Sequence, residues 1–427
     1  MIPAVHCIDV PGASRRRIAS RLACLVFLHW LAGAGCSTES NRPPAAANEP
    51  PSLEASLREG GQYLWSRQAA DGGWHSETYG LLRSGQSLTP FVLEALLRAP
   101  RDIVALPKDR VDRAIDFIRR NTAASGAVGM SDPGLPDYPN YASALAVKTL
   151  ARAGQANWRQ DIAPMVGYLR SRQFMEDNGW QPGDAPYGAW GMGGEVRRPP
   201  DAGHVDLSMT RHVIEALAAA GVGPDDPVFR RARVFVERCQ NYDPNDAKLG
   251  RQSATTGPLG RDGGFHFSTV VLDANKAGGD GERYRSYGTA TADGLLSLLA
   301  LGYSPQDQRV EAAAHWLAAH HRADGAPGFE GEAYRRWTAG LWFYYAASSS
   351  SALSELRIPG AALVAAELQR AQRPDGSWSN AENLVKEDDP LIATGFALRA
   401  LAGAIQERQT LPLRKADPVL VSLAGVP

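Results

Sequence analysis

The sequence predicts an all-α protein: an (α/α)6 toroid in which six helical hairpins close into an inner and an outer ring. Three observations point to it. A Thr or Ser stands seven residues before a large apolar residue six times, at Thr89–Leu96, Ser143–Leu150, Thr210–Leu217, Thr291–Leu298, Thr338–Tyr345 and Thr394–Leu401. These anchors fall 54, 67, 81, 47 and 56 residues apart, so a unit persists while its loops vary, the signature of a repeat architecture. Each anchor stretch also follows a second helical stretch and a Gly-rich turn, most turns ending in an aromatic: Trp74, Trp180, Phe265, Phe329 or Trp378. Finally, the two members of each pair differ in pattern. The first is amphipathic, as in Val111, Ile115 and Ile118 with charge opposite, whereas the second, as in Thr289 to Leu301 or Pro390 to Leu401, is apolar nearly all round. A helix without a polar face must be covered on both sides, which places the second members in an inner ring and the first in an outer one. Closing the ring removes the exposed ends that an open solenoid has to cap.

Taken in order, residues 1–36 read as an export signal. Arg15, Arg16 and Arg17 precede an apolar run from Leu22 to Trp30 and the small residues before Cys36, a run too short and wrongly flanked for a spanning helix. The stretch resembles a bacterial lipoprotein signal, which implies Cys36 as the lipidated first residue of the mature protein, on the periplasmic or cell-surface side of a membrane. The Arg run also resembles a twin-arginine signal, and an uncleaved anchor is the alternative. Residues 37–52, rich in Pro, Ala, Asn and Ser, form a flexible tether that cannot bury a core. The toroid is expected over 53–403 and a C-terminal tail over 404–427.

Composition narrows the partners. Across 427 residues the net charge is −1, which offers no global field for nucleic acid, so none is expected as a partner. Only Cys239 lies beyond Cys36, leaving neither a disulfide framework nor a cysteine metal site in the body. Asp262 and His266 are two ligands where a zinc site needs three or four. No metal and no cofactor is expected.

Connections from inner to outer helices are short, as at 154–158, whereas those from outer to inner are long, up to Trp180–Asp206 and Tyr242–Ser286. All long loops therefore lie where the inner helices begin, and one-sided insertions mark a binding face. Five residues after the anchors stand Glu94, Lys148, Glu215, Leu296, Phe343 and Arg399. With the ring closed, Arg399, Glu94, Lys148 and Glu215 alternate in sign on neighbouring helices, and ion pairs between those helices are expected.

The run from Gln68 through Gly72 to Trp74 resembles the Gln–Trp repeat of squalene–hopene cyclases, with weaker copies at Gln173 to Trp180 and at Gln372 to Trp378. From about residue 53 to 403 the chain resembles the terpenoid cyclase and protein prenyltransferase toroids, the prenyltransferase/squalene oxidase repeat family. That resemblance implies that Gln68, Trp74, Trp180, Gln372 and Trp378 fasten outer helices together. It does not bring the family's chemistry. Of the cyclase Asp-x-Asp-Asp-Thr motif, aligned on the anchor Thr, only the first Asp has a counterpart, Asp206, and Met209 stands before Thr210. The Asp, Cys and His zinc set of prenyltransferases and the Gly-Cys-Gly-Glu-Gln thioester run are both missing.

Four carboxylates are candidates for acid–base work. Asp388 and Asp389 open the sixth inner helix, either as a pair at the cavity mouth or as an N-cap before Pro390. Asp206, with His204 two residues earlier, is an acid–base pair or again an N-cap. Asp293 falls inside an apolar helix, where it needs a partner or an elevated pKa. Tyr141, Tyr187, Trp190, His204, Tyr287, Trp337 and Trp342 are candidates to line the cavity. Aromatic walls suit an isoprenoid-like ligand but also simply pack the neck of a ring. Three functions remain open: an exported, lipid-anchored toroid binding an apolar ligand or cell-envelope component; a terpenoid cyclase- or lyase-type enzyme with a relocated carboxylic acid; and a protein-interaction ring.

Overall fold

The computed structural model describes residues 50–132, 134–243, 260–280, 282–332 and 334–410. The expected export signal with Cys36, and most of the expected tether, lie outside the described residues. In chain order the helices are α1 (Leu53–Ser66), α2 (Leu88–Arg98), α3 (Lys108–Arg120), α4 (Pro139–Ala153), α5 (Trp158–Ser171), α6 (Leu207–Ala219), α7 (Pro227–Arg238), α8 (Gly288–Ala300), α9 (Gln308–Ala319), α10 (Arg335–Gly340), α11 (Trp342–Leu356), α12 (Ala361–Ala371) and α13 (Pro390–Thr410). The described residues hold no extended strand, only isolated bridges.

Six helices form the inner ring: α2 packs on α4, α4 on α6, α6 on α8, α8 on α11, α11 on α13, and α13 returns to α2. Around them lie α1, α3, α5, α7, α9 and α12, the amphipathic members. This is the (α/α)6 toroid, and its last inner helix continues to Thr410. One inner helix departs from the pattern. The fifth is broken at Leu341, which has φ −117° and ψ 17° and separates the short α10 from α11. Thr338 therefore sits on α10, ahead of the long inner helix.

The anchors have a physical task. The hydroxyl of Thr89 accepts the backbone N–H of Trp74 at 3.0 Å, Ser143 that of Val128 at 2.9 Å, and Thr210 that of Trp190 at 3.3 Å. Thr291 serves Phe265 at 3.1 Å and Thr394 serves Trp378 at 3.0 Å. Each hydroxyl thus satisfies a buried donor in the turn that feeds its helix, a group that is costly to leave unpaired. At the fifth position the Thr338 carbonyl, not its hydroxyl, accepts from Ala326 at 2.9 Å, a consequence of the break.

The Gln–Trp repeat fastens outer helices in series. The side-chain amide of Gln68 donates to the Gly72 carbonyl at 3.0 Å and to that of Arg110, in the first turn of α3, at 2.9 Å. Gln173 does the same to Gly188 and to Val228 of α7 at 3.0 and 2.8 Å. Gln240 reaches Gly263 and Arg309 of α9 at 3.0 and 2.9 Å. Gln372 reaches Gly376 and Ser56 of α1, both at 3.0 Å, and so joins the last outer helix to the first. The indole N–H of Trp74, Trp190 and Trp378 donates back to the Leu64, Leu169 and Leu368 carbonyls at 2.7, 2.7 and 2.8 Å, in the last turns of α1, α5 and α12. In the third hairpin this tryptophan is Trp190, not Trp180. The insertion between Gln173 and Trp190 holds a 3-10 turn at Glu176–Asn178, and Trp180 packs over it, donating to the Arg197 carbonyl at 3.0 Å.

The turn glycines explain why the repeat is glycine-rich. Gly376 has φ +84°, and a Cβ there would stand 2.6 Å from the Glu59 carbonyl oxygen of α1. The turn therefore presses on the backbone of the neighbouring outer helix, a fit open only to a residue without Cβ in a left-handed conformation.

Candidate functional site

Charge pairs cross the inner ring at the height expected from the sequence. Arg399 of α13 lies 3.6 Å from Glu94 of α2, close but not hydrogen-bonded, and Arg152 of α4 approaches Glu94 at 3.7 Å. Lys148 of α4 pairs with Glu215 of α6. Arg211 extends the belt: its Nε lies 2.7 Å from Glu215 and its Nη1 2.7 Å from Asp293 of α8. Burial pushes the Glu94 and Glu215 carboxyls up, but the surrounding cations prevail and hold both well below the usual carboxylate range. Asp293, anomalous in the sequence, is thus the partner of a buried guanidinium.

Above the belt lies a cavity of about 870 Å³, within the size range of small-molecule sites. It opens where the inner helices begin. Its lining residue furthest along each inner helix is Phe91 on α2, Tyr141 on α4, His212 on α6, Asp293 on α8, Tyr344 on α11 and Phe396 on α13. These six make the floor, five of them with rings. Phe91 meets Phe396 edge-on at 4.9 Å, Phe396 meets Tyr344 at 5.3 Å, and Tyr141 meets His212 at 4.8 Å. The Tyr344 hydroxyl donates to Asp293 Oδ2 at 2.7 Å and shares a 2.5 Å hydrogen bond with Ser208 of α6.

The cavity has two chemical halves. On the α13–α2 side it is walled mainly by Leu82, Leu88, Phe91, Leu384, Ile392 and Phe396, with Ser87 and Lys386 as polar exceptions. On the α6–α8 side stand Asp206, Ser208, His212, Asp293, Asn275 and Lys276. Asp206 is the N-cap of α6, accepting the Met209 N–H at 2.7 Å through Oδ1. Its Oδ2 lies 2.9 Å from His204 Nε2 but has no well-aligned hydrogen bond. Burial holds the His212 imidazole well below its usual pKa, so it is neutral, and its Nδ1 is buried without a partner. Burial also raises the Asp293 carboxyl against the pull of Arg211. The Tyr344 phenol is pushed far up by burial and then by Asp293, and Tyr141 is pushed up to about 12 by burial. Lys276, its ammonium 3.4 Å from the centre of the Phe267 ring, is pulled down to about 8 by burial.

The structure brings only part of the expected set to this cavity. Asp206, Asp293, Tyr141, His204, Tyr287 and Trp337 line it. Asp388 and Asp389 do not. Asp388 accepts the Tyr79 hydroxyl at 2.5 Å. Asp389 is turned to the Leu391 N–H at 2.9 Å and the Ser76 hydroxyl at 2.5 Å, the N-cap alternative. Trp190 is fully buried in its outer-helix contact, the Tyr187 hydroxyl is held by Glu176 at 2.6 Å, and the Trp342 indole donates to the Ala323 carbonyl at 2.9 Å. Each is committed to packing behind the wall. Ser208, His212, Tyr344 and Lys276 are additions. Ser208 stands at the middle acidic position of the cyclase motif, two residues before Thr210, and His212 one turn later. Tyr344 is hidden from the sequence by the break at Leu341, and Lys276 lies in a loop without periodicity. Among the described residues no group of three or more His, Cys, Asp or Glu could hold a metal ion.

No family model and no curated protein matches the sequence. Solved structures do match in shape. The type II terpene cyclase MstE from Scytonema superposes with a TM-score of 0.53 at 13% identity, covering 83% of this chain and 99% of its own. A point variant of that enzyme in complex with its substrate geranylgeranyl dihydroxybenzoate gives 0.53 at 14%, covering 83% and 97%. A D-mannose isomerase gives 0.52 at 12%, covering 84% and 97%. At such identities the likeness is one of fold, and a fold hosts many functions. The chain has the α/α toroid fold that these enzymes share.

Proposed function

We propose that the toroid binds an elongated, isoprenoid-like molecule with an apolar body and one polar end, and that it does so in the central cavity. The observation that carries this reading is the gathering of the cavity's carboxylates and His212 on the α6–α8 side, opposite a mainly apolar α13–α2 side. An apolar body gains about 25 cal/mol for each Å² it removes from water. The buried His212 Nδ1, which has no hydrogen-bond partner among the described residues, favours a ligand able to satisfy it. The substrate named in the MstE complex, a geranylgeranyl chain on a dihydroxybenzoate, has the same two-part character. The resemblance of residues 1–36 to a bacterial lipoprotein signal supports a lipid-anchored protein outside the cytoplasm, with an envelope component as the source of the ligand.

A second reading, acid–base chemistry on that ligand, is favoured by the Asp206–His204 pair at the cavity wall. Alkene protonation at Asp293 is disfavoured, because both its oxygens are already occupied by hydrogen bonds from Arg211 and Tyr344, which oppose the rise that burial causes. A protein-interaction ring is disfavoured by the open cavity. The test is displacement of an environment-sensitive apolar dye by farnesol from the full chain. Saturable displacement supports the reading, and displacement no better from wild type than from a cavity-filled Ile392→Trp variant overturns it.

A further inference from the structure

The described residues hold four lysines. Lys108 pairs with Asp112 and Lys148 with Glu215. Lys276 and Lys386 line the cavity and join no ion pair among the described residues. Lys276 is the more enclosed in aromatic surface. Its amine lies 3.4 Å from the centre of the Phe267 ring and 5.5 Å from that of Trp337, and its one hydrogen bond, to the Ala274 carbonyl, spans 3.5 Å, the limit of reach. Lys386 lies 5.5 and 5.8 Å from the Tyr79 and Tyr138 rings. Phe267 ties Lys276 to the polar wall: its carbonyl accepts the Leu207 N–H at 2.9 Å at the start of α6, and its ring meets His204 at 6.0 Å.

An amine packed against aromatic rings without a carboxylate ion-pair partner either balances an anion or acts as a nucleophile. The surroundings disfavour an anion, because Asp206, Asp273 and Asp293 line the same side of the cavity and would repel it. They do not repel a neutral carbonyl. Resting on the binding reading above, we propose that Lys276 captures the polar end of a carbonyl-bearing apolar ligand, an aldehyde of the isoprenoid-like class, as an imine. The ammonium first loses a proton to solvent, and the neutral nitrogen adds to the carbonyl carbon as the C=O π pair moves to oxygen. One proton passes from nitrogen to that oxygen; the resulting carbinolamine then loses hydroxide, protonated as it leaves, and the last N–H proton. Amine and aldehyde give imine and water, with no oxidant or reductant. His204, against the same ring and 2.9 Å from Asp206, is the group available to move the proton. Desolvation, which brings Lys276 down to about 8, is a recognised way to activate such a lysine.

The test incubates the full chain with farnesal, traps any imine with cyanoborohydride, and locates the adduct by intact-mass and peptide mass spectrometry. The expected result is one adduct per chain, at Lys276, formed at least about tenfold faster than at Lys386, given an amine whose proton affinity lies well below that of an ordinary lysine. Its rate should rise with pH and level off above about 8. Lys276→Arg should remove the adduct, and Lys108→Arg, on the exposed face of α3, should keep both the adduct and the displacement of the apolar dye by farnesol. Labelling spread evenly over the lysines, or as fast in Lys276→Arg as in wild type, overturns the imine. Dye displacement by farnesol with no trapped adduct overturns the imine and leaves the binding reading standing; absence of both overturns the two together.

Discussion

Arg211 Nη1 lies 2.7 Å from Asp293 Oδ1, both side chains 2% exposed, on the neighbouring inner helices α6 and α8. One guanidinium thus serves two buried acids, since its Nε also meets Glu215 at 2.7 Å. Burial alone would lower its proton affinity, but the two carboxylates raise it above the usual value. Such a pair adds little over a well-packed apolar contact, whereas removing one partner strands a buried charge. Arg211→Met should therefore cost about 3–5 kcal/mol in urea unfolding. A cost under about 1 kcal/mol would mean that the belt is solvated.

The belt also sets an acid limit. The folded-state pKa values of Glu94 and Glu215 lie well below the unfolded value of 4.5, so the unfolded chain binds protons first as pH falls. The stability they contribute is fully present above about pH 5 and is lost as pH drops through 4.5 and below. Urea midpoints measured from pH 5 to pH 3 should fall steeply. Glu94→Gln should flatten part of that fall.

The anchor hydroxyls should matter more than their small size suggests. Thr394→Val keeps the shape but removes the acceptor for the buried Trp378 N–H at 3.0 Å. The expected loss is about 1–3 kcal/mol. Thr338→Val, whose hydroxyl does not serve the equivalent donor, should cost less in the same denaturation experiment.

Ring closure has its own test. Gly376→Ala places a Cβ at φ +84°, 2.6 Å from the Glu59 carbonyl oxygen, in the turn where Gln372 joins α12 to α1. Strain and overpacking together should cost about 1–3 kcal/mol. Hydrogen exchange should rise first in α1 and α12 if that contact fastens the ring.

The fold was legible because its causes are local and repeated. Each anchor hydroxyl, turn glycine and fastening glutamine is a nearby chain feature, so period and pattern expose it. The alternating Arg399, Glu94, Lys148 and Glu215 were legible for the same reason, standing at one register in successive helices. Legibility ended where the repeat was interrupted. Trp180, seven residues after Gln173, falls within one residue of the Gln68–Trp74 and Gln372–Trp378 spacing, but the insertion at 176–187 hands the outer-helix contact to Trp190. The break at Leu341 shifts the fifth register and conceals Tyr344. Asp388 and Asp389 read equally as active carboxylates or as a cap, and only their partners Tyr79 and Ser76, some three hundred residues away in sequence, decide between them.

The central claim is that the two-sided cavity holds an apolar molecule. Native mass spectrometry of the full-length protein purified from its own host, with solvent extraction of any bound species, tests it most directly. The account expects one stoichiometric apolar molecule with a single polar end, released on denaturation and absent from Ile392→Trp, whose indole would occupy the apolar half. An empty wild-type protein, or the same bound species in the filled variant, would contradict it.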